Sequence, residues 1–392
     1  MVDFEFSSPT RIVFGNNKSE SVGSLLREYG VKKTLIVTGK GGHVKKTGLL
    51  NKVASSLREK GIDYALYDSV IPNPTLECVK GGRRSYIENT CDFIVAIGGG
   101  SVIDCSKAIA LSLSCNSVDE LWERCFLNYE AVSADARIGV ILTTAASGSE
   151  TGESAVISNN GKKLIGSSPS AIPLFAILDP VNTLTLPKYQ TACGIADILS
   201  HLEERYFVLE QDNSLSDKML EGAMRNVIQN GEMLIHHPEN LSLRQDIMWN
   251  ATIAHNQILD RGRNGGDWAC HMIEHEISAR FPIAHGEGIA MITPSWLRFV
   301  SEKEECKNRL IQFASRVWGA DFPMDSNLAI EWAILQQEAW YKRIGLRTTL
   351  KELEDFSSSS IDDIAASFFY SPGQFATLTN NEIKTILQEA FI

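Results

Sequence analysis

The run GGDWACHMIEHEISARFPIAHGEG (265–288) holds His271, His275 and His285 within fifteen residues, out of eight histidines in the whole chain. Their spacing admits more than one chemistry. His271-Met272-Ile273-Glu274-His275 fits H-x-x-E-H, in which a metallopeptidase takes both histidines as zinc ligands and the glutamate as base. Asp197 and His201, in GIADILSHLEERY, stand four apart, as do His271 and His275. On a helix that spacing puts two side chains on one face about 5–6 Å apart, a span that one ion bridges. His285 follows a break at Phe281-Pro282 and precedes Gly286, which puts it on a loop or at the start of the next helix. One carboxylate with several imidazoles suits Fe²⁺, Zn²⁺, Co²⁺ or Mn²⁺. The hydrolase reading uses His271, Glu274 and His275 but leaves Asp197, His201 and His285 without a role. Taken alone, an i,i+4 histidine pair such as His271 and His275 is more often not a ligand set.

A second chemistry is written in the first half. In FIVAIGGGSVIDCSKAIA an apolar run meets Gly98-Gly99-Gly100-Ser101 and then a helical pattern. Glycines let the backbone approach a bulky anion, and a helix N-terminus offers free N–H groups and the positive end of its dipole. In an open α/β sheet this turn receives a nucleotide pyrophosphate, although G-x-G-x-x-G itself is absent. ILTTAASGSE (141–150) supplies a second turn of small residues, with Thr143, Thr144, Ser147 and Ser149 as candidate contacts. TGKGGHVKKTG (38–48) is not a P-loop, because Val44 stands where the second glycine is required. It follows the first buried strand, where an acid would accept from a ribose 2′-hydroxyl and repel a 2′-phosphate. No acid lies there, whereas Lys40, His43, Lys45 and Lys46 do, which favours NADP(H) over NAD(H).

The elements that must position these residues divide in two. Through the first half, β-rich runs (34–40, 62–70, 92–101, 137–150, 174–180) alternate with helical stretches (45–61, 75–89, 102–114), the pattern of βαβ units and a parallel sheet. After Pro187 the apolar spacing becomes three and four residues, in 188–211, 216–235 and 329–345, and no strand is expected. The expectation is an α/β dinucleotide-binding domain over 1–185 and an all-helical metal-binding domain over 186–392, hinged at Asp179–Pro187. Ser357–Ser360 reads as a turn capping a helix. With 392 residues, two cores are the natural division.

The 37 basic against 48 acidic residues give a net charge of −11, which argues against nucleic acid or anionic membrane as a partner. No run approaches the ~18 apolar residues of a membrane span, and the first residues lack the pattern of a secretory signal. Eight scattered cysteines with no C-x-x-C read as reduced thiols. These features together lead to the expectation of a cytoplasmic protein, and Asn17-Lys18-Ser19 is a chance match to a glycosylation sequon.

With these pieces in place the chain resembles the iron-containing (group III) alcohol dehydrogenases, nearest the NADPH-dependent butanol dehydrogenase and aldehyde reductase branch. The resemblance runs over nearly the whole chain: NPT (73–75), GGGSVIDCSK (98–107), TTAASGSE (143–150), ILDP (177–180), ADILSHLEERY (196–206), GDWACHMIEHEI (266–277) and AHGEG (284–288). It implies a Rossmann-like parallel-sheet domain followed by a helical domain, with the metal in the cleft. It implies metal ligands Asp197, His201, His271 and His285, and removes His275 from that set as a proton relay near the nicotinamide. Cofactor positions fall on Gly98, Gly99, Gly100, Ser101, Asp104, Thr143, Thr144, Ser147 and Lys163, with the 2′-phosphate loop at Gly41, Gly42 and His43. Ser147 stands where the family usually has Thr and keeps the hydroxyl. Lys40 and His43 replace smaller residues, and either can pair with a 2′-phosphate. The implied activity is reversible hydride transfer between NADP(H) and a short aldehyde or primary alcohol, with Fe²⁺ before Zn²⁺ in the site and a homodimer as the assembly. The competing expectations are a polyol or hydroxyacid dehydrogenase of the same superfamily using NAD, an H-x-x-E-H hydrolase, and a silent metal or nucleotide binder.

Overall fold

The computed structural model describes residues 2–209, 214–321 and 325–392. Two compact units appear, one of Ser7–Leu186 and one of Pro187–Ile392 together with residues 2–6. The first runs β1 (Arg11–Phe14), α1 (Val22–Glu28), β2 (Lys33–Gly39), α2 (His43–Lys46), α3 (Leu49–Glu59), β3 (Asp63–Val70), α4 (Leu76–Glu88), β4 (Phe93–Gly98), α5 (Gly100–Ser112), α6 (Val118–Leu121), β5 (Arg137–Leu142), β6 (Ser154–Asn159), β7 (Lys162–Ser167) and β8 (Phe175–Leu178).

Six strands form one sheet in the order β1-β8-β5-β4-β2-β3, every neighbouring pair parallel. β4 is buried at every residue, as a strand covered by helices on both faces must be, and this is why FIVAIG carries no polar alternation. Phe93, Val95 and Ile97 of β4 share one core with Ile141 of β5, Phe175 and Ile177 of β8, and Leu26, Val53 and Leu57 of α1 and α3. From β2 the chain adds β3 on one side and then β4, β5 and β8 on the other. The order therefore reverses between β2 and β4, and the carboxyl ends of those strands form the switch point where open α/β sheets bind ligands.

The sequence reading does not provide for β6 and β7, an antiparallel hairpin. Its signal was present: Asn160 and Gly161 both take positive φ (49° and 74°), the Asn-Gly pair of a two-residue hairpin turn.

The second unit is helical: α7 (Lys188–Tyr206), α8 (Leu215–His236), α9 (Leu241–His255), α10 (Ala269–Ser278), α11 (His285–Ser301), α12 (Glu304–Phe313), α13 (Ser326–Arg343), α14 (Ser358–Ser367) and α15 (Asn380–Ala390). No strand occurs in it among the described residues. Ser357 caps α14 in a capping box with Ser360, as the serine run led one to expect. Among the described residues, no helix is long and apolar enough to cross a membrane.

Candidate functional site

α7 carries Asp197, His201 and Glu204 at i, i+4 and i+7, one stripe of a helix that is buried from Thr191 to Tyr206. α10 brings His271, Glu274 and His275, all buried, and His285 is the first residue of α11. The three segments meet around one carboxylate oxygen. Asp197 Oδ1 lies 3.5 Å from His285 Nε2, 4.0 Å from His271 Nε2 and 3.5 Å from His201 Nδ1.

Each of the three histidines has its Nδ1 engaged by an acceptor. His201 Nδ1 donates to the Asp197 carbonyl at 2.7 Å. His271 Nδ1 donates to Glu204 Oε1 at 3.0 Å, and His285 Nδ1 donates to Glu274 Oε2. In each ring Nε2 is therefore the atom left to act as a ligand. A carboxylate behind a ligand histidine fixes its tautomer and raises its basicity. Glu204 is itself held at the start of α10, where the backbone N–H groups of His271 (3.1 Å) and Trp268 donate to it.

The electrostatics suit a cation. Burial drives the His201 imidazolium down to about 3, against the pull of Asp197, so the ring is neutral and can ligate. Burial likewise raises the Glu204 carboxyl to about 7, opposed by the N–H groups of His271, Trp268 and Cys270. Asp197 Oδ1 is buried and accepts no hydrogen bond among the described residues, a position that costs several kcal/mol in order of magnitude unless a cation faces it. Ligand atoms about 2.1 Å from one ion in a tetrahedron stand about 3.4 Å apart, close to the 3.5 Å from Asp197 Oδ1 to His285 Nε2 and short of the 4.0 Å to His271 Nε2. Asp197, His201 and His271 bring ligand atoms within 4.8 Å of one another, and His285 Nε2 approaches the same carboxylate oxygen, a donor set suited to a divalent metal. His275 is buried next to this set, its ring 5.4 Å from that of His285.

Sequence reasoning did not foresee what stands behind the ligands, although it had named Glu274 as a candidate base. Glu204 and Glu274 are the two acceptors just described. Trp268, the N-cap of α10, adopts φ 68°, unusual for a bulky residue, and its ring lies 5.3 Å from His271 and 6.0 Å from His201. Arg205 lies over the Trp268 ring at 5.1 Å. Glu287 accepts from Arg347 Nη2 (2.7 Å) and from Tyr189 Oη (2.7 Å), which ties the first turn of α11 in place. Helical spacing from His201 to Glu204 was a usable signal for that carboxylate; nothing local pointed to the partners of Trp268 or Glu287.

In the sheet unit, the three expected cofactor segments leave the carboxyl ends of adjacent strands: Lys40–His43 after β2, Gly99–Ser101 after β4, and Thr143–Ser147 after β5. The last two are in contact. A Cβ on Gly99 would stand 3.0 Å from Thr144 Cβ, and one on Gly100 would stand 2.7 Å from Ser147 Oγ. The glycine turn is thus seated against two of the expected hydroxyl residues, at the N-terminus of the thirteen-residue α5.

Asp104 lies one turn further on, and both its oxygens are used within the protein: Ser149 Oγ donates at 2.6 Å and the Val156 N–H at 3.0 Å. Lys107 Nζ donates to Ser149 O, Ser149 Oγ and Ser154 O at 2.7–2.9 Å. Burial raises the Asp104 carboxyl, with Lys107 the strongest opposing influence and Lys163 on β7 a further one. Asp104 therefore braces the turn from behind. In the β2 loop Gly42 is left-handed (φ 70°), His43 Nε2 is 3.2 Å from Thr185 Oγ1, and Lys45 is ion-paired with Asp68.

Residues 9–180 match the family described as iron-containing alcohol dehydrogenase, and residues 191–391 match the C-terminal domain of the same family. The chain is 39% identical over 323 residues to NADH-dependent butanol dehydrogenase B of Clostridium acetobutylicum, covering 82% of this chain and 81% of that one. It is 33% identical over 356 residues to the NADPH-dependent aldehyde reductase YqhD of Escherichia coli, covering 90% and 89%. The crystal structure of NADH-dependent butanol dehydrogenase A from Thermotoga maritima superposes with a TM-score of 0.93 at 32% identity, over 100% of this chain and 99% of that one.

Proposed function

The chain belongs to the iron-containing alcohol dehydrogenase family, in its butanol dehydrogenase and aldehyde reductase branch, and is an alcohol/aldehyde dehydrogenase; we propose that it reduces short-chain aldehydes reversibly with NADP(H), at a divalent metal held by Asp197, His201, His271 and His285. The observation that carries this reading is the clustering of His201 and His271 with Asp197, His285 Nε2 standing 3.5 Å from Asp197 Oδ1, and the Nδ1 of each of the three histidines being held.

When bound, such a metal supplies Lewis acidity to a carbonyl or alcohol oxygen, and the nicotinamide supplies the hydride. The remaining chemistry belongs to the chain. Three neutral imidazoles and one carboxylate would leave a divalent ion held there with a net positive charge. Burial of His201, His271 and Asp197 keeps water from competing for it. A ring nitrogen of His275 exchanges the proton with the product oxygen. In the sheet unit, Gly98–Ser101 with Thr143, Thr144 and Ser147 receives the pyrophosphate at the start of α5. The hydrolase alternative needs Glu274 as a base toward an open coordination position, but that carboxylate is committed to His285.

For the cofactor, the β2 loop supports NADP(H). Lys40 is exposed beside Gly41, and the nearby carboxylate Asp68 is neutralised by Lys45. The NADH-dependence stated in the names of the butanol dehydrogenase relatives favours the second reading, NAD(H). The reading also includes Fe²⁺ ahead of Zn²⁺, the cytoplasm, and a homodimer. β1, at the sheet's edge, pairs with β8 alone among the described residues, leaving an edge that a second copy's strand can extend.

The test is kcat/KM for NADPH and NADH over C2 to C6 aldehydes, with metal-stripped protein restored by Fe²⁺, Zn²⁺ or Mn²⁺. Activity should vanish on stripping and return with metal, NADPH should lead by about tenfold or more, as one added ionic contact allows, and Lys40→Ala should lower the NADPH value alone. Preference for NADH, or activity indifferent to metal, refutes the corresponding half of the proposal.

A further inference from the structure

Glu274 makes the H-x-x-E-H pattern, yet neither the metal set nor the proton relay uses it. It is fully buried on α10, three residues past His271 and on the same helical face. Its Oε2 accepts from His285 Nδ1 across the α10–α11 junction, while His285 Nε2 stands 3.5 Å from Asp197 Oδ1. An imidazole held at Nδ1 by a fixed carboxylate can rotate little, so the direction of Nε2 is set by where Glu274 sits.

A second residue makes that seat. A Cβ on Gly288 would lie 2.8 Å from Glu274 Cγ and 2.9 Å from Oε1. Gly288 is inside α11 and has no left-handed backbone, so the helix does not need glycine there. Glycine inside a helix is destabilising relative to alanine. Space for the carboxylate is the physical reason for it. A buried carboxylate is also costly in itself, so the fold carries two local costs at one point, beside the expected metal ligands.

We infer that Glu274, in the space left by Gly288, is a positioning residue of the metal centre. It holds His285 in the Nδ1–H tautomer, aims Nε2 at the ion and strengthens it as a donor. This rests on the metal reading above, and the competing view is that Glu274 merely joins α10 to α11.

The experiment uses the full chain, stripped of metal and titrated with Zn²⁺ against a competing chelator, with Co²⁺ absorption as a second readout. Asp197→Asn should abolish stoichiometric binding, which establishes the site itself. Zn²⁺ affinity should fall about 10-fold in Glu274→Gln, which keeps an acceptor, and about 100-fold in Glu274→Leu, which does not. Gly288→Ala, which alters no expected ligand, should also lose about 10-fold and shift the Co²⁺ bands. Glu276→Gln, on the same helix but paired with Arg280 and Ser367, should bind as wild type. The thermal midpoint of stripped Glu274→Leu should equal or exceed that of wild type, a split that a joining role does not produce. Should Glu274→Leu not fold, Glu274→Gln and Gly288→Ala carry the test. Wild-type affinity in these variants, with Asp197→Asn defective, overturns the inference and leaves the metal reading standing. Absence of stoichiometric binding by wild type overturns both.

Discussion

Gly286→Ala tests the claim that the metal centre depends on the close approach of α11 to α7. A Cβ at residue 286 would stand 1.9 Å from the Cys193 carbonyl oxygen, 2.7 Å from its carbon and 3.0 Å from Cys193 Cα. These are backbone atoms inside α7, four residues before Asp197, and they cannot swing aside as a side chain can. Real Cβ atoms essentially never come closer than 3.0 Å, so the first turn of α11 must retreat by about 1.1 Å to relieve the 1.9 Å contact. His285 is adjacent and moves with it, away from Asp197 Oδ1. Overpacking of this kind destabilises by about 1–3 kcal/mol, which lowers Tm by roughly 2–12 °C for a unit of this size. The functional loss should be larger in proportion: a displacement near 1 Å costs about 100-fold in rate, and a misdirected ligand costs about 10–100-fold in metal affinity. The assays are metal per chain by elemental analysis, Zn²⁺ affinity by chelator competition, and kcat/KM on butyraldehyde. Gly222→Ala is the control, because Gly222 lies within α8, has no left-handed backbone, and its Cβ would meet nothing within 4 Å. It should stabilise by about 0.4–1 kcal/mol with activity intact. A Gly286→Ala enzyme with full metal and activity within threefold of wild type refutes the reasoning.

His271→Ala should lose metal and activity together, whereas His275→Ala should keep stoichiometric metal and lose turnover; metal loss in the second returns His275 to the ligand set. Gly99→Val drives a branched side chain into Thr144, already 3.0 Å from a Cβ there, and should weaken NADP(H) binding by calorimetry about tenfold or more, as the loss of a pyrophosphate contact implies, with metal content unchanged. Unaltered cofactor affinity would remove the pyrophosphate assignment. Burial lowers the Lys107 ammonium from 10.5 to about 8, against Asp104, Glu150 and Glu153, which pull it up. Below pH 8 the folded and unfolded chains both hold this proton and the burial penalty is constant; between about 8 and 10.5 only the unfolded chain does, so stability from this group rises with pH by up to about 1.4 kcal/mol per unit. Urea unfolding should show that slope as a rise in wild-type stability relative to Lys107→Met across the window, and a difference flat across it contradicts it.

Much of this architecture is legible along the chain because its signals are local. The FIVAIG run could only be a strand covered on both faces, and α7 shows its buried stripe in the spacing of Asp197, His201 and their apolar neighbours. The glycine turn announced a strand-to-helix junction, and α5 begins where it ends. The β6–β7 hairpin was equally legible in Asn160-Gly161 but is easily passed over when the surrounding strands are short and polar. Asp104 illustrates the opposite limit. Its position behind the turn suggests a cofactor contact, but nothing local shows that Ser149 and Val156, more than forty residues on, donate to its two oxygens.

What the sequence determined by itself was the inventory and the local geometry: borderline ligands at i,i+4 on helices, small residues after buried strands, and an overall charge unsuited to polyanions. Backbone periodicity carries such information because side chains three or four apart on a helix must share a face. What only the tertiary structure decided was the partner of each group. His285 meets Asp197 because α11 packs on α7 through Gly286. Its Nε2 faces inward because Glu274 takes Nδ1, and Glu274 fits because residue 288 has no side chain. Hydrogen-bond choice among residues distant in sequence is set by a few tenths of an ångström of packing. The glutamate that reads as a protease base in one dimension therefore stands behind a histidine in three.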